Sequence, residues 1–194
     1  MFHPDYSQYA CENKSLKALA KCLGSSACWL LAPAGIGTIV ALLLAFSLND
    51  LEECNQRPCP KGTGLTGIYT AFATLALALY VYYTLNDNQD HLMTSYLPLS
   101  VGFAILLVFY GSIYFFLYRL NPNNFSGDFD DDPITQFITF IYYSITVFST
   151  SQDGNIRPYT LGARSIVGME ILSFIYSFTL SIAIIISSYE NKES

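Results

Sequence analysis

The chain has 194 residues, a formal net charge of −6 and a mean hydropathy of +0.36; 52% of its residues are hydrophobic and 12% charged. A soluble domain of this length cannot bury so much apolar side chain, whereas a protein that faces lipid has no need to. The lipid bilayer is therefore the expected partner, and neither a nucleic acid nor a small-molecule substrate is expected.

Residues 1–26 are polar and hold Asp5, Glu12, Lys14, Lys17 and Lys21. No cleaved signal is expected, because the first apolar run starts too late and is too long for a signal core. Leu16, Leu19, Ala20 and Leu23 fit a short amphipathic helix on the membrane surface, with a solvated cytosolic tail as the alternative. A bilayer core is about 30 Å thick and takes about 20 apolar residues in a helix. Four stretches meet that length: Ala27 to Leu48, Leu65 to Leu85, Tyr96 to Leu117 and Ile166 to Ser187. The first two predict a transmembrane hairpin over residues 27–95, rich in Ala, Gly and Thr for close packing in lipid. Pro33 predicts a kink in the first span. Between them lies Cys-Asn-Gln-Arg-Pro-Cys, and Cys54 with Cys59 can form a disulfide in an oxidising compartment. Two free thiols are the alternative; a metal site is disfavoured, since the chain has two histidines and neither is near. The polar turn that follows the second span carries His91, read as an interfacial residue.

Three lysines precede the first span and Asp50, Glu52 and Glu53 follow it, which places both termini in the cytoplasm of a cell or plasma membrane. The third span is rich in aromatics, for interface belts at its ends and for packing or lipid contact in its middle. Residues 121–133 then break every helical pattern. They hold two prolines, Gly127 and the acids Asp128, Asp130, Asp131 and Asp132. Such a loop either concentrates cations locally or is simply a solvated turn. The sequon Asn124-Phe125-Ser126 faces outside in this topology and is a candidate glycosylation site. A fifth apolar stretch, Ile134 to Phe148, is too short to span and predicts a re-entrant helix, with Asp132-Pro133 as N-cap and first turn.

The re-entrant stretch leads into Tyr142-Tyr143-Ser144-Ile145-Thr146-Val147-Phe148-Ser149-Thr150-Ser151-Gln152-Asp153-Gly154-Asn155. This aligns without a gap on the pattern Y-Y-S-I-T-T-F-T-T-V-G-Y-G-D and resembles the pore loop of tetrameric cation channels of the potassium-channel superfamily. Arg164 and Glu170 also match an Ala-Arg pair and a glutamate six residues on, which begin many inner helices of that family. The resemblance covers about Pro133 to Ser187 and, more loosely, the third span. It implies an all-α transmembrane fold with four spans, a re-entrant pore helix and a filter loop between the third and fourth. Residues 96–194 would form the pore domain, four chains would assemble as a homotetramer, and monovalent cations such as K+ and Na+ would permeate. No cofactor is implied.

The filter positions depart from the family. Thr150, Ser151, Gln152, Asp153 and Gly154 stand where T-V-G-Y-G lines an ion path with carbonyl oxygens. A Cβ at Gln152 makes the usual backbone costly. Asp153 would add a ring of four carboxylates, at which divalent ions could bind. The resemblance thus implies a weakly selective pore. A degenerate loop in a non-conducting scaffold or accessory subunit is the alternative. Ser173, Ser177 and Ser181 share one face of the fourth span. They read as a lining for a wet cavity or, alternatively, as small residues for helix packing. Glu170 reads as a structural hydrogen-bonding group near the pore helix. No catalytic cluster, phosphate loop or nucleophile–base pair points to an enzyme.

Overall fold

The computed structural model describes residues 26–47, 60–87, 92–149, 151 and 155–193. Within them the fold is all-α with four helices long and apolar enough to cross a membrane. These spans are Trp29–Ser47, Gly64–Thr84, Ser100–Leu120 and Leu161–Ala183. At 1.5 Å per residue they measure roughly 28 to 35 Å, which matches the apolar thickness of a bilayer. The protein is an integral membrane protein with a fifth, shorter apolar helix.

A 3-10 turn at Ser26–Leu31 opens the described chain and runs into α1, Ala32–Ser47. Pro33 therefore sits in the first turn of α1 rather than in mid-span. Its lost N–H costs little there, and the expected kink becomes the change from 3-10 to α geometry. Helix α2 covers Pro60–Asp87, α3 Leu92–Leu120, α4 Pro133–Phe148 and α5 Leu161–Glu193. The helices overrun their apolar cores, since a helix once formed propagates into polar flanks at little cost.

Small residues decide how the hairpin packs. Ala34, Gly37, Ala41 and Ala45 lie on one buried face of α1, and α1 packs mainly on α3. Ile36, Ile39, Leu43 and Leu44 are exposed on the other face, as a lipid-facing helix requires. Helix α2 packs on both α3 and α5.

The core lies between α3, α4 and the loop that joins them. Phe109, Tyr110, Tyr114, Phe115 and Phe140 are fully buried there. The Phe129 ring stacks on Phe140 at 5.2 Å, and Phe125 meets Phe140 edge to face at the same distance. Beyond α3 the chain makes a 3-10 turn at Pro122–Asn124 and a short strand β1, Phe125–Ser126. That strand pairs antiparallel with β2, Arg157–Pro158, with Phe125 opposite Pro158 and Ser126 opposite Arg157. The pairing draws the chain leaving the short helix back to the start of the acidic loop.

The short helix and the segment that follows it

Helix α4 begins on a built cap. The Asp132 carboxylate accepts from the Thr135 backbone N–H and from its hydroxyl, each at 2.9 Å, and Pro133 fills the first turn. The Thr135 N–H, and then its hydroxyl, hold the Asp132 carboxyl below the usual carboxylate range. One turn on, the Gln136 amide donates to the Asp130 carbonyl at 2.6 Å and accepts from Arg119 at 3.3 Å. The start of α4 is thereby tied both to the loop and to the end of α3.

From that point α4 runs back along α3. Gln136 meets Arg119, Ile141 lies against Gly111, and the Phe148 ring meets Phe103 at 5.6 Å. At Gly111 the helices approach so closely that a Cβ would fall 2.5 Å from Ile141 Cδ1 and 3.1 Å from its Cα. The Phe148 ring also lies 4.4 Å from Phe174 of α5. Phe174 is thirteen residues below the start of α5, a depth of about 20 Å in a span of about 35 Å. Helix α4 therefore ends inside the membrane. The Ser149 and Ser151 backbone N–H groups close its last turn on the Ile145 and Thr146 carbonyls, both at 2.9 Å.

A buried carboxyl holds α4 from behind. Glu170 of α5 has no exposed surface. Its Oε2 accepts from the Tyr114 hydroxyl of α3 at 2.5 Å, and its Oε1 accepts from the Ser144 hydroxyl of α4 at 2.6 Å. Each carboxyl oxygen thus meets one hydroxyl. A second contact of Ser144 with the Leu107 carbonyl is longer, at 3.2 Å. One side chain thus fastens three helices at a single level. Close by, the Tyr143 hydroxyl is the one buried side-chain polar atom among the described residues that has no partner.

The outer end of the module is fixed by Asn124. Its Nδ2 donates to the Leu117 carbonyl at 2.8 Å, its Oδ1 accepts from the Thr160 hydroxyl at 2.8 Å, and its backbone carbonyl accepts from Tyr159. This corrects the sequon reading. Asn124 is 3% exposed with its amide nitrogen committed, so a glycan on it is incompatible with this fold. Arg164 donates from Nε to the Pro158 carbonyl at 3.2 Å and remains exposed. The Arg164–Glu170 spacing thus separates a residue that braces β2 from one that braces α4.

Of the filter positions, Ser151 is described and exposed; Thr150, Gln152, Asp153 and Gly154 lie outside the described residues, as do Cys54, Cys59, His91 and the segment before residue 26. The inner-helix serines need a correction. Ser173 and Ser177 are buried within the single chain, at 7% and 2% exposure, on the face of α5 that its own helices cover. A wall of a central cavity would be open in one chain, so the packing alternative describes these two. Ser181 is half-buried. The tertiary partners of Glu170, Tyr114 and Ser144, were not singled out from the sequence. The available signal was a phenol in the middle of an apolar span and a hydroxyl facing into the short helix.

Residues 102–191 match the family model described as "Ion channel". The match begins within α3, runs through α4 and ends near the end of α5, so it covers the three helices that Glu170 joins. The hairpin of α1 and α2 lies outside it. No curated protein and no solved structure matches the chain.

Proposed function

We propose that the chain is one subunit of a homotetrameric, weakly selective cation channel, with Thr150, Ser151, Gln152, Asp153 and Gly154 as its filter. The observation that carries this reading is the short helix: α4 is capped on the acidic-loop side, ends inside the membrane, and delivers its C-terminus to that segment. A helix C-terminus carries roughly half a negative charge, which favours a cation before it. The ion-channel match over the same region supports the reading.

Assembly is supported by what a single chain leaves open. Ile134, Ile138, Tyr142 and Ile145 form an exposed stripe on α4, and Leu172, Ile175, Tyr176 and Phe178 are exposed on α5. One pore loop cannot enclose a path, and cyclic closure by four copies would cover the α4 stripe. Both termini lie inside in this reading, and the acidic loop with Asp128, Asp130, Asp131 and Asp132 faces outside. Gln152 disturbs a carbonyl-lined filter, and Asp153 adds a ring of carboxylates at which divalent ions bind. Ser181 is the inner-helix serine with surface to offer a cavity.

Purified protein in lipid bilayers tests this. Reversal potentials under K+, Na+ and Ca2+ gradients should show cation permeability with little K+ over Na+ preference. Asp153→Asn should weaken divalent effects and leave the assembly's mass unchanged. Strong K+ selectivity would overturn the reading of Gln152. A particle smaller than a tetramer, or no current, would leave a non-conducting scaffold.

A further inference from the structure

The hairpin lies outside the region that matches the ion-channel family, yet its second helix is hydrogen-bonded to a tyrosine that packs on the one holding Glu170. Tyr110 and Tyr114 stand one turn apart on α3 and both point at α5. Tyr114 reaches Glu170, and through it Ser144 of α4. The Tyr110 hydroxyl is 2.7 Å from the Thr74 hydroxyl of α2, and the Tyr110 ring packs on the Tyr114 ring at 6.1 Å. The paired tyrosine rings therefore link two contacts of α3, one reaching α5 and α4 through Glu170 and the other reaching α2 through Thr74.

In the Thr74–Tyr110 bond either hydroxyl can donate, and the bond holds in both cases. A hydroxyl exposed to hydrocarbon has no water to turn to, so each link is retained unless another protein group replaces it.

Helix α2 also grips α5 lower down, where Leu180 packs against Tyr80 and Val81. Thr74 and Val81 are seven residues apart, and so are Ser173 and Leu180. The contacts of α2 with Tyr110 and with Leu180 therefore lie about 10 Å apart along it, and a displacement of α2 carries both together. The burial of Ser173 and Ser177 follows from this, because small side chains let α2 approach.

We propose that the hairpin sets the position of α4 through this ladder, with Thr74 and Tyr110 as the input and Ser144 as the output. Movement of α2 within the membrane then reaches the pore helix six residues before Thr150. The functional consequence, a hairpin that biases opening, rests on the channel reading above; the mechanical coupling does not. Being intermediate in space is no proof of coupling, so the test must measure coupling itself.

The full chain in nanodiscs supplies it, with amide hydrogen exchange read at residues 141–149 whether or not the protein conducts. Thr74→Val and Tyr110→Phe each remove one hydroxyl and keep the shape. Each should raise exchange at 141–149 about threefold or more, and the double variant should do no more than either alone, since both cut one chain. Leu75→Ala, on the exposed face of α2 away from the ladder, serves as control and should leave 141–149 unchanged. Exchange that rises only at residues 70–77 and 106–113 would overturn the proposal, as would additive effects or an equal response in the control. In bilayers, a silent wild type would sink the channel reading and leave the exchange result standing. A conducting wild type whose Thr74→Val exchange is unaltered at 141–149 would sink the ladder alone.

Discussion

The two halves of this molecule solve the same problem, helix packing in lipid, by different means. The hairpin relies mainly on surface shape: Ala34, Gly37, Ala41 and Ala45 bring α1 against α3, with the Tyr69–Pro33 and Thr74–Tyr110 hydrogen bonds as its directional contacts. The module of α3, α4 and α5 uses directional groups: a carboxylate with two hydroxyl donors, a side-chain amide bridging loop to helix, and an asparagine with both ends of its amide committed. Lipid offers no hydrophobic drive between helices, so close packing and hydrogen bonds must supply the specificity. A helix that crosses the whole bilayer tolerates sliding, because any register presents apolar side chains to lipid. One that must stop partway does not, since its end then has to stay at a fixed depth. Directional bonds are found where a position must be held.

The sharpest way to break that comparison is to remove the carboxylate. Glu170→Leu leaves the Tyr114 and Ser144 hydroxyls without their acceptor in an otherwise sealed site. The expected cost is roughly 3 kcal/mol, from two lost hydrogen bonds and the unpaired hydroxyls left behind. Glu170→Gln keeps an acceptor and should cost less than half as much. Unfolding of nanodisc- or detergent-held protein, followed by tryptophan emission or gel mobility, measures both. Equal effects would mean that volume rather than hydrogen bonding holds the site.

A pair of glycines sharpens it next. A Cβ at Gly111 would strike Ile141 at its backbone Cα as well as its side chain, so α3 and α4 must separate. A Cβ at Gly37 would strike the rings of Tyr69 and Phe109, which are side-chain atoms that can turn aside. Both alanine variants gain the same helix propensity. Gly111→Ala should therefore be the worse by about 1 to 2 kcal/mol, with the cost of overpacking decided by what can move. Tyr69 limits the relief at Gly37, because its hydroxyl donates to the Pro33 carbonyl at 2.5 Å. Comparing the two thermal midpoints decides the order, and a reversed order would mean the hairpin is the more tightly specified half.

These contrasts also explain what the sequence revealed. The four spans and the short helix were legible because lipid demands long unbroken apolar runs, and Asp132-Pro133 was legible because a cap is a local device. Glu170 could be read as a bracing group, but not its partners, since nothing local ties Tyr114 to Ser144. The Asn124 sequon left glycosylation open because a three-residue pattern carries no information about burial. Ser173 and Ser177 misled for a related reason: periodicity says that they share a face and leaves open which neighbour covers it. The two-residue strands β1 and β2 are too short to carry any alternation.

A milder change probes the cap of α4. Asp132→Ala removes the acceptor for the Thr135 N–H and should loosen the first turn, seen as faster amide exchange at residues 134–137. The pH dependence has a definite sign. The folded structure holds this carboxyl below its ordinary value near 3.9, so its contribution is complete above that pH and is lost as pH falls through the lower folded value. Asp132→Asn keeps a capping oxygen that does not titrate. It should hold exchange near wild type at neutral pH and remove the acid-induced loosening of this turn. An acid response that persists in Asp132→Asn would assign it to another group in the loop.

The smallest expected effect lies in the hairpin and has the opposite sign. An added Cβ at Gly35 meets nothing within 4 Å, and the residue lies in the helical part of α1. Alanine there restricts the unfolded chain and improves helix propensity without a clash. Gly35→Ala should therefore stabilise by about 0.5 kcal/mol, at the low end of the usual glycine-to-alanine gain. A shape-packed helix tolerates such a change wherever its surface faces only lipid. If Gly35→Ala instead destabilises the assembled protein while leaving the dissociated chain unaffected, the surface at Gly35 faces another copy. The hairpin would then be part of the assembly's closure, and its packing as tightly specified as that of α3, α4 and α5.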